Sequence, residues 1–335
     1  MQRLKSLLSK LNFFLGRNPK LIHHHDYTSV REFIPEPYKA VFILSADFEL
    51  AWAWRYMKGS ESPLLTALEK ARQARKNISE ILDLCDRFNI SITWAVVGHL
   101  FLETCAREKG IIHPEIKRPS FSEDDYRVYE KGDWFQHDPC SNYIEAPEWY
   151  APDIIKDILQ RKTRHEIACH TFSHIDCRDE VCSPGVLISE IEACQKAAGA
   201  SGVELKSFIH PGHTIGNLDT LKKMGFNSFR TDYQNTLGYP VHHKNGLWEF
   251  KSTVELGLRR EWTLDYHIYR FNKIIERAIK HKKVCYSWFH PSMDSILVEK
   301  VLPGLFSFIS SQREREELWV TTTKNYVKWL ENGRL

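Results

Sequence analysis

The sequence predicts an α/β protein of barrel-like architecture, and three observations predict it. From Ala40 onward, short apolar runs alternate with longer segments of helical period. At 42% hydrophobic and 27% charged over 335 residues, the chain has the material for a sizeable core. No stretch approaches the roughly 18 uninterrupted apolar residues of a membrane-spanning helix. Lysine plus arginine number 46 against 43 for aspartate plus glutamate. That surplus is too small for phosphate-backbone binding, so no nucleic-acid partner is expected. Eight cysteines without a CxxC spacing fit reduced, buried thiols of a cytosolic protein.

The chain divides into a basic segment, 1–36, and a barrel, 37–335, with an insertion at 103–150. In the first segment Leu4, Leu7, Leu8, Leu11 and Phe14 or Leu15 recur at helical spacing. Arg3, Lys5, Lys10 and Arg17 add positive charge, and no acid precedes Asp26. A basic amphipathic helix over 1–18 follows, either docked on its own domain or lying peripherally on the inner face of a membrane. Lys10 and Asn12 break its apolar run, and no small-residue cleavage site follows Leu15, so a cytoplasmic location is expected.

Residues 41–44 are a continuous apolar run, as in strands covered on both faces. Leu65, Leu68, Ala71, Ile78, Ile81, Leu82, Cys85 and Phe88 mark one stripe of a long helix. Ile90, Ile92, Trp94 and Val96 alternate as the next strand. Further strands are expected at 165–169, 206–209, 227–230, 284–289 and 318–321. Helices are expected at 152–161, where Pro152 suits the first turn, after Asn217 as N-cap to a stop at Gly225, and at 265–282 and 323–332. These make about seven strand–helix units. The insertion is rich in Pro, Asp, Tyr and Trp without a period, as lids and binding loops are. Its Trp134, Trp149 and Tyr150 are candidates for stacking on sugar faces, with half-buried packing as the other use of such rings.

Four stretches gather Asp, Glu and His at predicted strand ends, where a β/α barrel carries its active site. They are SADFE (45–49), HTFSH (170–174), FIHPGH (208–213) and WFHPSMD (288–294). His170 and His174 have the spacing of a metal-ligand pair, which would set two imidazoles on one face of a helical turn. Strand alternation points Asp47 and Glu49 to the same side. A divalent metal held by two neutral histidines and one carboxylate keeps positions open for water and polarises a carbonyl, which suits hydrolysis. A second carboxylate can then act as base, and His290, just past a strand, is positioned to protonate a leaving group. A rival set, His170, His174, Cys177 and Cys182, would make a closed structural zinc site.

Taken in order, these stretches resemble the motifs of the polysaccharide deacetylase family, carbohydrate esterase family 4, over roughly residues 40–330. FILSADFELAW (42–52) is similar to the first motif, in a D-x-E form. HEIACHTFSH (165–174) resembles the second, FIHPGHTIGNLDTLKKMGF (208–226) the third, VCYSWFHPSMD (284–294) the histidine-bearing last motif, and LWVTTTKNYVKWL (318–330) the closing strand and helix. The resemblance implies a distorted (β/α) barrel, usually of seven strands, and metal-dependent removal of N- or O-acetyl groups from sugars. It implies Asp47 as catalytic base, His170 and His174 as metal ligands with Glu49 or Asp47, and His290 as general acid. Zinc is the expected ion. The arginine that the family carries near the third-motif proline is absent, and Arg230 or His210 would take its place. His210 and Pro211 are expected to line the substrate site with Trp134 and Trp149. The expected partner is an acetylated sugar or glycan precursor, nucleotide- or lipid-linked, in cell-surface polysaccharide biosynthesis. The alternatives are a barrel that binds a glycan without cleaving it and a metal-independent amide hydrolase.

Overall fold

The computed structural model describes residues 30–121, 132–231 and 237–332. The 1–18 helix lies outside them. Strand β1 (Ala40–Phe48) is buried at every position and is the hub of the sheet. One side of it pairs in parallel with β8 (Val284–Phe289). The other side pairs first with β9 (Leu318–Thr321), along Ala40–Ile43, and then with β2 (Thr93–Val96), along Ser45–Phe48. From β2 the parallel order continues through β3 (Glu166–Cys169), β4 (Ser207–Ile209), β5 (Ser228–Thr231) and β6 (Trp248–Lys251). Immediately after β6, β7 (Val254–Glu255) pairs with β8. One extended segment therefore joins β5 to β8, and the sheet curls into a distorted barrel.

Helices cover the outside: α1 (Pro63–Phe88), α2 (Pro152–Gln160), α3 (Pro184–Ala200), α4 (Leu218–Lys223), α5 (Leu264–His281), α6 (Leu302–Glu314) and α7 (Thr323–Asn332). Thr263 caps α5 by accepting the Tyr266 amide. Asn217 precedes α4 as expected but does not cap it with its side chain, whose Nδ2 instead donates to the Cys177 and Cys182 carbonyls. The strand read at 90–96 begins at Thr93, and the segment 248–255 was not read as strand. Its short runs, broken by Ser252 and Thr253, fall below the length at which alternation is a usable signal.

Alternation along β1 explains what the barrel does with its two faces. Phe42, Leu44, Ala46 and Phe48 join the core shared with α1, whose Ala67, Ala71, Ala74 and Ile78 belong to the same cluster. Val41 and Ile43 face the other way, into a cluster with Phe250, Tyr286 and Tyr326. Continuing that inner series by twos gives Ser45, Asp47 and Glu49. The inside of the barrel thus turns from apolar to acidic toward the C-terminal ends of the strands, where β/α barrels carry their chemistry. On β8 the matching series is Val284, Tyr286, Trp288 and His290. Phe33 and Ile34 pack into this inner cluster, and the Phe33 carbonyl accepts the Tyr326 hydroxyl at 2.7 Å, so the packed body includes residues before 37.

The insertion holds a small hairpin, Arg107–Glu108 against Ile111–Ile112. Both of its described tryptophans named above turn inward. Trp134 is 2% exposed and Trp149 4%. Among the described residues, no helix is long and apolar enough to cross a membrane.

Candidate active site

Glu49 stands one residue past the end of β1, and its Oε1 faces both imidazoles of the second stretch. His170 Nε2 lies 3.0 Å away and His174 Nε2 3.2 Å. The ring of His170 is oriented by the Ile209 carbonyl at the end of β4, 2.8 Å from Nδ1. With Nδ1–H donating there, Nε2 carries a lone pair, and that lone pair meets a carboxylate oxygen. Two electron-rich atoms in that relation fit a cation between them. The second oxygen of Glu49, Oε2, is buried without a hydrogen-bond partner. Two imidazole nitrogens and a carboxylate within 4.8 Å of one another are a donor set for a divalent metal such as zinc.

The histidine pair does not sit on a helical turn. Residues 170–174 form a loop in which Thr171 and His174 hold φ of 57° and 60°. Left-handed backbone at two non-glycine residues is costly, and it persists where the surroundings enforce it. Here the enforcing group is Glu190 of α3, fully buried, which accepts the Phe172 amide at 2.8 Å, the Ser173 amide at 2.8 Å and the Ser173 hydroxyl at 2.6 Å. Sequence reading missed Glu190. The signal was an acid on the buried stripe Leu187, Glu190, Ile191, Cys194 of α3. Cys177 and Cys182 do not join the pair: their thiols donate to the Ile175 and Ser183 carbonyls, and neither belongs to a metal-type cluster among the described residues.

Asp47 is held differently. Arg230, from the end of β5, crosses the barrel and grips it with two parallel hydrogen bonds, Nη1 to Oδ1 at 2.8 Å and Nη2 to Oδ2 at 2.6 Å. Nη1 also donates to Ser45 Oγ at 2.8 Å, and the guanidinium lies 4.8 Å from the Trp288 ring centre. Burial, the largest influence, pushes the Asp47 carboxyl up, but the opposing influences, led by the Arg230 charge and its hydrogen bonds, together hold the group below the usual carboxylate range.

His290 Nε2 lies 3.6 Å from Glu49 Oε2, and its ring is edged by Trp54 and Trp288, both at 5.2 Å between centres. It opens onto a cleft of about 400 Å³ lined by Trp54, Lys70, Glu255, Arg259, Arg260 and Asp294, among others. His290 is the member of the group that lines this cleft, whereas Asp47, Glu49, His170 and His174 are each 5% exposed or less.

The structure therefore brings Asp47, Glu49, His170, His174, Arg230 and His290 together, and it separates the others. His210 is buried, and its Nε2 is 3.1 Å from the Gly216 carbonyl. Burial lowers its pKa to about 3, so it is a neutral packing residue and does not replace the missing arginine. Pro211 is buried beside it. The stacking role expected of Trp134 and Trp149 is corrected by their burial: Trp134 donates to Ser173 Oγ at 2.8 Å with Arg55 over its ring, and Trp149 packs edge-on against Trp52 at 5.3 Å. A ring face covered by protein cannot stack on a sugar.

No family model matches the sequence, and no curated protein matches it. Solved structures do. A protein described as a polysaccharide deacetylase from Mycobacterium smegmatis superposes with a TM-score of 0.63 at 12% identity, over 94% of this chain and 96% of its own. Another described in the same way, from Pseudomonas aeruginosa PAO1, gives 0.61 at 11% identity over 95% and 99%. The Puue allantoinase gives 0.59 at 13% identity over 95% and 99%. At these identities what is shared is the fold, and the fold of this chain is that of the polysaccharide deacetylases.

Proposed function

We propose that the chain is a metal-dependent hydrolase that removes an acetyl group from an amino sugar or glycan precursor. The observation that carries this reading is that one buried carboxylate faces two imidazoles while a second carboxylate, gripped by arginine, stands two residues away. Glu49, His170 and His174 would hold the ion. When bound, a divalent metal supplies an activated water and polarises the scissile carbonyl. Asp47, ionised and oriented by Arg230, takes the proton of the attacking water. His290, which lines the cleft, delivers a proton to the departing amine. The proteins that share the fold include two described as polysaccharide deacetylases, which supports an acetylated carbohydrate as substrate. Arg230 supplies the guanidinium that the third stretch lacks, which favours an active enzyme over a glycan-binding barrel.

The test is acetate release from a panel of N-acetylated sugars, free, nucleotide-linked and lipid-linked, by the native chain with and without added zinc. Asp47→Asn and His290→Ala each lower the rate by roughly 10²-fold or more. Unchanged release in both variants rejects the assigned roles, and full release after chelation rejects the metal.

A further inference from the structure

We propose that the insertion carries a second metal centre, a structural zinc site built from His99, Cys105, His113 and Asp138. These four residues come from four places. His99 lies in the turn Gly98–Phe101 that follows β2, Cys105 begins the insertion, His113 follows its hairpin and Asp138 lies on the returning arm. Yet one donor atom from each falls within 4.8 Å of all the others. From Asp138 Oδ2 the distances are 2.9 Å to His99 Nε2, 3.4 Å to Cys105 Sγ and 3.5 Å to His113 Nε2. A tetrahedral ion with bonds of about 2.0–2.3 Å separates its ligands by roughly 3.3–3.8 Å, so the cluster has nearly the right size.

Two hydrogen-bonding facts point to a cation rather than to a plain polar network. The Nδ1 of His99 lies 3.1 Å from the Trp149 carbonyl. A carbonyl can only accept, so a proton is on Nδ1, and in the neutral ring Nε2 then presents a lone pair to the Asp138 carboxylate. That is the relation seen between His170 and Glu49, reproduced about a different carboxylate. Second, His113, 8% exposed, has its Nε2 buried with no hydrogen-bond partner while aimed at the same carboxylate oxygen. Buried polar atoms normally find partners, and a cation shared with the three neighbouring donors would satisfy this one.

The groups behind the ligands are also in place. Asp138 Oδ1, the oxygen turned away from the cluster, accepts the Tyr150 hydroxyl at 2.8 Å and the Cys140 amide at 2.9 Å, which fixes the carboxylate. Two nitrogens, one sulfur and one oxygen fill a tetrahedron, leaving no position for substrate, so the role is structural. The ion would tie both arms of the insertion to the turn after β2. Trp134, four residues before Asp138, reaches from there to Ser173 Oγ beside His174. The site thus holds the insertion in register with the loop that carries the histidine pair.

Loading the purified full chain with cobalt(II) tests this directly, because the first site offers no sulfur donor. The native chain is expected to show a thiolate-to-cobalt charge-transfer band in the near ultraviolet, and Cys105→Ser is expected to lose it while keeping the native circular dichroism. The His170→Ala/His174→Ala variant is expected to keep the band and one equivalent of zinc. A cobalt-loaded native chain without the band overturns the proposal, and so does a band that survives Cys105→Ser. Cys105 Sγ and Cys140 Sγ lie 3.2 Å apart, so a Cys105–Cys140 disulfide in freshly prepared, unreduced protein is a further outcome that overturns it.

Discussion

Arg230 decides more of the site than its place in the sequence suggests. It lies outside the stretches that concentrate Asp, Glu and His, yet it is 2% exposed and spans the barrel interior to grip Asp47. A planar fork matched to a carboxylate fixes position as well as charge. Arg230→Met is therefore expected to lower kcat by about 10²-fold through loss of orientation, and Arg230→Lys to recover only part of it, in steady-state kinetics with KM little changed. The candidate acids and histidines were legible from the sequence because they cluster at predicted strand ends, where a β/α barrel carries its active site. The identity of the guanidinium partner was open between Arg230 and His210. The choice depended on which side chain turns into the barrel, and the register of β5 against β4 and β6 sets that.

The loop after β3 shows what elements contribute to such side chains. Its left-handed residues are held by Glu190 from α3, which grips Phe172 and Ser173 between the two metal-type histidines. Burial raises the Glu190 carboxyl above the usual range while the Ser173 and Phe172 donors work against that rise. Glu190→Ala leaves those buried donors unpaired, at about 1–3 kcal/mol for each group. Urea denaturation of the variant is expected to show a loss of several kcal/mol, and an unchanged midpoint would refute this assignment. His165, just before β3, gives the element a pH dependence. Burial lowers its pKa from 6.5 to about 4, and its Nδ1 accepts the Ile92 amide. The folded state thus resists a proton that the unfolded chain takes up, so this contribution to stability is complete above about pH 6.5 and is lost as pH falls toward 4. Replacing it in His165→Asn is expected to flatten the stability profile over that window.

The strands and long helices were readable because burial imposes periods of two and 3.6 on them. The extended segment 248–255 and the interior of the insertion were not, since their runs are too short or too aperiodic to carry such a period. Trp134 and Trp149 illustrate this: composition suggested sugar stacking, whereas Trp134 packs against Arg55 and Tyr56 and Trp149 against Trp52.

At the scale of the whole molecule, the barrel converts an alternation along β1 into a chemical gradient, apolar at one end and acidic at the other, and the curled sheet brings His170, His174 and His290 to the acidic end. The claim on which this rests is that Glu49, His170 and His174 share one ion. Elemental analysis of the purified chain beside its His170→Ala/His174→Ala variant tests it most directly. The variant should hold one equivalent of divalent metal fewer than the native protein; equal metal content in the two would contradict the account.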